Sequence, residues 1–332
     1  MTRCGVLGAG SWGTTLADLL AKQGHDVRLW AFEPEVAEQI NRDRINRTYL
    51  AGCPLHEGIR ASSDPLEVVP EVDVLLVATP SHATRAVLCR VATQLPADAV
   101  VVCATKGLEP ESLHRMSQVA AVCLPDNPFV TLSGPSFASE VHAGQPTAVV
   151  AASSQEAAAR SAQAAFSSST FRVYSSRDVV GAEIGGSLKN VMAIAAGILE
   201  GLGLGHNPRA ALLTRGLAEI TRLGVALGAD PATFAGLAGM GDLILTATGH
   251  LSRNRTLGVA IGQGQPLASY LAAHRTVAEG VNTTRAALQL AITAGVELPI
   301  TAKVAEVLFE GKDSRTGITE LMERTLKPEQ WT

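Results

Sequence analysis

An ammonium group wrapped in apolar side chains is costly unless something uses it. Lys189 is the only charged residue between Glu183 and Glu200, in the run Glu183-Ile-Gly-Gly-Ser-Leu-Lys-Asn-Val-Met-Ala-Ile-Ala-Ala-Gly-Ile198. Such a lysine loses hydration, so it is paired, gives up its proton readily, or takes part in chemistry. On a helical projection Ile184, Leu188, Val191, Ala195 and Ile198 form one core-facing stripe. Lys189 points away from it, over Gly185, Ala193 and Ala196, where a ligand can approach. The plainer reading is a lysine that snorkels to solvent from a buried helix end. The chemistry that suits the first reading is proton transfer, in which an ammonium stabilises and then protonates a developing negative charge.

Other polar residues could complete such a site. Lys106, in Thr105-Lys-Gly107, follows an apolar strand-like run, and a second cation there would lower the pKa of Lys189. Asp242 follows Gly239-Met-Gly241, and Asn190 adjoins Lys189. In Ser252-Arg-Asn-Arg255, Arg253 offers a planar fork and Asn254 an amide to a phosphate. Gly134 and Ser136, in Ser133-Gly-Pro-Ser136, follow another strand-like run and could offer donors to an anion. Each has a structural alternative: a solvated turn lysine, an N-cap at Asp242, a turn at Pro135, and a helix cap followed by solvated basic residues at 252–255. Ser81 and His82 read as helix initiation, because no Ser/His/Asp constellation accompanies them.

A second anion site is stronger on context. Gly8-Ala-Gly10-Ser11-Trp12-Gly13 follows one predicted strand and opens a helix. Gly8 permits the tight turn, Gly10 the approach of a pyrophosphate, and Gly13 close helix packing, with the helix N-terminus facing the anion. Glu33 lies about 20 residues beyond Gly13, where dinucleotide folds contact the adenosine ribose. An acid there accepts from a free ribose and repels a 2′-phosphate, favouring NAD(H) over NADP(H). Glu33 also fits the start of a helix at Glu33-Pro-Glu35, and Arg28, Arg42, Arg44 and Arg47 are close in sequence.

The elements that must position these residues fall into two textures. Runs at 4–7, 27–30, 74–77, 99–103, 130–132, 148–151 and 171–174 read as strands, alternating with helices at 11–23, 82–94, 111–122 and 155–166. That order predicts an α/β Rossmann-type domain with a doubly wound, mainly parallel sheet. Beyond Asp178 strand signals stop, and helices are expected at 209–227, 254–262, 283–294, 300–309 and 318–324. We therefore expect a dinucleotide-binding domain over 1–178 and an all-α substrate and catalytic domain over 179–332. Lys189 falls near their junction, a frequent place for ligand clefts.

Composition narrows the setting. The chain has 332 residues, 46% hydrophobic and 17% charged, with a net charge of −4, so a general nucleic-acid-binding surface is not expected. No signal-peptide pattern or membrane-spanning apolar run is read, and a cytoplasmic protein without membrane insertion is the expectation. The five cysteines form no CxxC or Cys/His cluster, which fits a reducing compartment, buried thiols and no metal.

Taken together, the ordered motifs closely resemble the NAD(P)-dependent glycerol-3-phosphate dehydrogenases of bacterial type. They are Gly8 to Gly13, Thr105-Lys-Gly107, Leu132-Ser-Gly-Pro-Ser-Phe-Ala138, Gly185-Gly-Ser-Leu-Lys-Asn190, Leu237-Ala-Gly-Met-Gly-Asp242 and Ser252-Arg-Asn-Arg255. The resemblance implies reversible reduction of dihydroxyacetone phosphate to sn-glycerol 3-phosphate by NADH or NADPH, supplying glycerolipid synthesis. It implies Lys189 as acid and base, with Lys106, Asn190 and Asp242 around the reacting carbonyl. Gly134, Ser136, Ser252, Arg253 and Asn254 would hold substrate. Ser11, Trp12, Phe32, Lys106, Ala138, Arg253, Val277 and Glu279 match cofactor positions, and Tyr49 is a further candidate. Phe32 followed by Glu33 departs from many bacterial relatives, which carry a basic residue at Phe32. Homodimers occur among relatives. The alternatives keep the fold and change the role: a 3-hydroxyacid or 6-phosphogluconate dehydrogenase relative, or a redox-sensing NAD-binding regulator.

Overall fold

The computed structural model describes residues 1–274, 278–326 and 328–329. Its first half alternates β1 (Arg3–Leu7), α1 (Ser11–Lys22), β2 (Asp26–Trp30), α2 (Pro34–Asp43), β3 (Ile45–Asn46), β4 (Leu50–Pro54), β5 (Ile59–Ser62), β6 (Val74–Val77), α3 (Ser81–Val91), β7 (Val100–Cys103), α4 (Met116–Cys123), β8 (Phe129–Ser133), α5 (Ala138–His142), β9 (Thr147–Ala152), α6 (Glu156–Phe166) and β10 (Phe171–Ser176). The second half is α7 (Val179–Gly201), α8 (His206–Ala226), α9 (Pro231–Phe234), α10 (Asp242–Thr248), α11 (Arg253–Gly262), α12 (Leu267–Ala273), α13 (Glu279–Ala294), α14 (Pro299–Phe309) and α15 (Ser314–Met322).

Eight strands form one sheet in the order β10-β9-β8-β7-β6-β1-β2-β5. Every neighbouring pair is parallel except β8 with β9. All four residues of β6 are buried, as expected of a strand covered on both faces. The chain moves outward from β1 through β2 to β5, then returns to the other side of β1 at β6, so the topological switch lies between β1 and β6. Their carboxyl ends, with those of β7 and β8, open on the edge where α/β sheets hold ligands.

α7 organises the helical half. Residues Gly181–Leu199 are all buried, so the single stripe read from the sequence understates the case: other helices and the ends of the sheet together enclose α7. It is also long and apolar enough to cross a bilayer by composition, contrary to the expectation that no such run exists, yet 89% of its most apolar window is buried within the protein. Small residues permit its closest contact. A Cβ on Gly197 would lie 2.1 Å from Arg255 O, and one on Gly258 of α11 would lie 2.1 Å from Ile194 O. The two backbones therefore touch directly, and α11 is held in register with α7.

Three local expectations change. The helix expected at 111–122 starts only at Met116, because Leu113 is left-handed (φ 62°) and the chain first folds around Glu109. The Glu109 carboxylate accepts from Arg85 Nε at 2.8 Å and from Ser112 Oγ. The β3–β4 hairpin and edge strand β5 had no clear signal, since they are short and show no regular alternation of buried and exposed residues. Of the cysteines, Cys4 and Cys103 are free and buried, and burial pushes both thiols up to about 12. Cys89 and Cys123 instead form a disulfide, contrary to the reading of uniformly reduced cysteines. Packing of α3 beside α4 brings their Cα atoms to 4.8 Å, a proximity that a separation of 34 residues conceals.

Gly258→Ala should destabilise the protein by about 1–3 kcal/mol, because the added methyl collides with backbone rather than with a movable side chain. Urea unfolding of the variant against the parent checks this, and an unchanged midpoint would contradict the close contact.

Candidate active site

The site assembles where α7 passes the carboxyl ends of β7 and β8. Lys106 follows β7, Gly134 follows β8, Lys189 comes from the middle of α7, and Asp242 opens α10. Asp242 is fully buried. The chain reaches it through a π-helical turn at Leu237–Gly241, a rare wide turn of the kind that often marks functional sites. Asp242 is thus the first residue of its helix and no N-cap: one oxygen accepts from Lys106 Nζ at 2.8 Å, and the other from Lys189 Nζ. Lys106 Nζ also donates to Gly134 O at 2.7 Å, shared with Ser136 Oγ at 3.1 Å. Lys189 Nζ donates to Thr246 Oγ1 at 2.9 Å, and that hydroxyl donates to Asp242 O at 2.7 Å. Thr246 was missed from the sequence; its signal is the spacing of four residues from Asp242 on one helix.

Lys189 therefore does not snorkel: it is 6% exposed, beneath the cleft. Burial lowers its pKa to about 7; Asp242 opposes the shift and nearby Lys106 reinforces it. Beside this trio runs an amide chain. Asn190 Nδ2 donates to Lys106 O at 3.4 Å, Asn254 Nδ2 to Asn190 Oδ1 at 2.9 Å, and Gly280 N to Asn254 Oδ1 at 3.0 Å. Asn254 is thus engaged within the protein and is 8% exposed. Ser252, also buried, caps α11 by accepting from Arg255 N at 3.2 Å. Arg255 is not solvated as its sequence context suggested: it is buried and its Nε donates to Glu200 Oε2 at 2.9 Å. Arg253 differs, having no hydrogen-bond or ion-pair partner among the described residues. Desolvation lowers its pKa against the pull of Glu279.

The two halves meet again at Glu279. Its carboxylate accepts from Ser81 N at 3.1 Å and Ser81 Oγ at 2.7 Å, so Ser81 bridges the halves rather than merely starting a helix. Val277 lies outside the described residues.

Along β1 the predicted turn can hold a dinucleotide. Gly8 has φ +114°, and a Cβ there would lie 2.8 Å from Ala78 O across the switch point. A Cβ on Gly13 would lie 1.9 Å from Gly8 O, while Gly10 faces open space. No side chain caps α1 and its first turn carries no acid, so the orphan amides at Ser11, Trp12 and Gly13 remain for an anion. Trp12 packs on Phe171 at 6.4 Å between ring centroids, its Nε1 buried without a partner among the described residues. Ala138 starts α5, and its carbonyl accepts from Thr15 Oγ1 at 3.2 Å, beside that turn. At the end of β2, Phe32 is 77% exposed and Glu33 is half-buried at the start of α2, accepting from Tyr49 Oη at 2.6 Å. The helix-start reading of Glu33 fits, since it directly precedes Pro34 in the first turn of α2. These features fit a dinucleotide, and among the described residues no His/Cys/Asp/Glu group could hold a metal ion.

Comparison with known proteins agrees with this geometry. Residues 3–159 match the profile of the N-terminal part of NAD-dependent glycerol-3-phosphate dehydrogenase, and residues 178–319 match that of its C-terminal part. Proteins named glycerol-3-phosphate dehydrogenase (NAD(P)+) from Geobacter sulfurreducens and Geobacter metallireducens are each 54% identical to it, with 99% of both chains covered. The crystal structure of glycerol-3-phosphate dehydrogenase from Coxiella burnetii superposes with a TM-score of 0.94 at 38% identity, covering 97% of this chain and 99% of that one.

Lys189 binds its proton less tightly when folded than when unfolded, so its contribution to stability is least favourable below about pH 7 and improves as pH rises toward its ordinary value of 10.5. Lys189→Met removes that dependence. Its melting temperature relative to the parent should be higher at pH 6 than at pH 9; a pH-independent difference would contradict the shifted lysine.

Proposed function

This chain belongs to the NAD-dependent glycerol-3-phosphate dehydrogenase family, and on that premise we propose how its own residues divide the work. The reaction is reversible reduction of dihydroxyacetone phosphate to sn-glycerol 3-phosphate with NAD(P)H. When bound, the reduced nicotinamide supplies a hydride to the ketone carbon. Lys189 donates to the carbonyl oxygen and hands it a proton as negative charge develops there; in the reverse direction the neutral amine takes the hydroxyl proton. Lys106 supplies a second cation beside the same oxygen. Asp242 keeps the two ammonium groups together, and Thr246 fixes where Lys189 points. The observation that carries this reading is the buried bridge of Lys106, Asp242 and Lys189, with the Lys189 pKa brought near neutrality. A redox sensor has no use for such a bridge.

The substrate phosphate is assigned to Arg253, which has no hydrogen-bond or ion-pair partner among the described residues, at the amino end of α11. Ser252 and Asn254 shape that end through their cap and amide bonds, and Gly134 and Ser136 line the Lys106 side. In this division residues 1–178 hold the cofactor and 179–332 supply the proton and phosphate contacts, with Lys106 reaching across. NADH is the preferred cofactor. Glu33 and Tyr49 form the ribose wall, while the nearby arginines are directed elsewhere: Arg28 to Pro70 O, Arg44 to Ile59 O, and Arg42 and Arg47 to Asp43. A role in supplying glycerolipid synthesis, in the cytoplasm, follows from the product; the Cys89–Cys123 bond is the feature that sits least easily with a reducing compartment.

Steady-state oxidation of NADH with dihydroxyacetone phosphate, compared with other oxo acids, tests the whole reading; absence of turnover would end it. Lys189→Ala should lower kcat by about 10² or more while NADH still binds. Because reduction needs the ammonium and oxidation the amine, kcat/KM for reduction should fall above about pH 7, and that for oxidation should rise up to about pH 7 and level off above it. Loss of either limb in the parent enzyme's profile would reject Lys189 as the titrating group. Glu33→Ala should narrow the NADH over NADPH preference, and an unaltered ratio would count against the ribose contact.

A further inference from the structure

A buried amide away from the reacting centre connects two separate walls of the cofactor groove. Asn46, the last residue of β3, is fully buried. Its Nδ2 donates to Ala9 O at 2.8 Å and to Thr14 Oγ1 at 2.9 Å, and Thr14 Oγ1 in turn donates to Ala9 O at 3.1 Å. Its Oδ1 accepts from Tyr49 N at 3.0 Å. Ala9 lies between Gly8 and Gly10 in the turn that faces the pyrophosphate, and Tyr49 Oη holds the Glu33 carboxylate. The hairpin carrying Asn46 and Tyr49 has no strand pairing to the main sheet. It is held to α1 at its far end by Asp18 Oδ1, which accepts from His56 N at 2.7 Å.

We infer that Asn46 is a positioning residue that ties the dinucleotide turn to the ribose wall, so that a single amide sets both cofactor affinity and the NADH over NADPH preference. This rests on the cofactor reading above. The amide is suited to the task because it donates through both hydrogens and accepts through its oxygen at one point. Aspartate could keep the Tyr49 arm but would turn lone pairs toward the Ala9 carbonyl. Alanine would leave that carbonyl, the Thr14 hydroxyl and the Tyr49 amide each without this partner, in a place closed to water.

The test is NADH and NADPH binding without substrate, read from nicotinamide fluorescence, beside KM for dihydroxyacetone phosphate at saturating NADH. Asn46→Ala should weaken NADH binding by about tenfold or more and reduce the NADH to NADPH affinity ratio by at least about threefold, with the substrate KM changed by less than about twofold. Asn41→Ala is the control for a purely structural loss. The Asn41 amide bridges Ala61 N and Ala61 O at 2.9 and 2.8 Å, on the edge strand away from the glycine turn. It should lower stability with little effect on cofactor binding. If Asn46→Ala does not fold, Thr14→Val keeps the shape, removes the shared hydroxyl, and should weaken NADH binding by about threefold or more. An unchanged NADH affinity in a folded Asn46→Ala or Thr14→Val variant would overturn the inference, as would an equal loss in Asn41→Ala. A parent chain that binds neither nucleotide would overturn the cofactor reading itself, before any variant is compared.

Discussion

One carboxylate holding two ammonium groups out of water is the constraint around which the molecule is arranged. Brought together without Asp242, Lys106 and Lys189 would repel each other, and both would lose hydration for nothing in return. With Asp242 between them the cluster holds together and keeps a surplus of positive charge, which is what a carbonyl oxygen gaining negative charge requires. The same burial makes the cluster sensitive. Removal of Asp242 leaves two ammonium groups uncompensated, and removal of either lysine changes the field at the other, so the three residues act as a unit and their individual effects cannot be added.

The three come from places far apart in the chain, so the fold has to solve a placement problem. The sheet delivers Lys106 at the carboxyl end of β7 and Gly134 at that of β8, and α7 lays Lys189 across those ends. The wide turn at 237–241 then swings Asp242 beneath both amines. Contact between the α7 and α11 backbones carries the consequence further, since it fixes Arg253 and the Asn190–Asn254 amide pair relative to the same lysine. The placement of Lys189 and its neighbours is largely a matter of how closely helices approach α7.

Much of this was legible in the sequence wherever a local rule was strict. The glycine turn at Gly8 to Gly13 has few other uses after a strand, and the isolation of Lys189 among apolar residues was visible because charge is so expensive there. Strand runs such as 74–77 were clear because both faces are covered. What escaped depended on tertiary proximity. Thr246 and Asn46 are small neutral side chains whose roles arise from partners that folding brings near. Arg255 looked like a surface residue until Glu200 was beside it. The late start of α4 follows from the Glu109 and Arg85 pairing, and the Cys89–Cys123 bond from the packing of two helices. Short segments such as β3 to β5 have too few residues to leave a periodic trace.

The enclosure of α7 also has a meaning for the order in which the chain is made. Its neighbours α8, α10, α11, α13 and α14 all follow it in sequence, so a growing polypeptide presents the longest apolar segment of the protein before any of its helical cover exists. The sheet half precedes it and can fold as it emerges, since domains generally form in the order of synthesis. Until α8 and α10 arrive, α7 resembles a membrane-spanning helix by length and composition, its one lysine without the aspartate that later holds it. The segment that carries Lys189 is thus the one a nascent chain must keep shielded longest, and chaperone dependence during translation would be concentrated there.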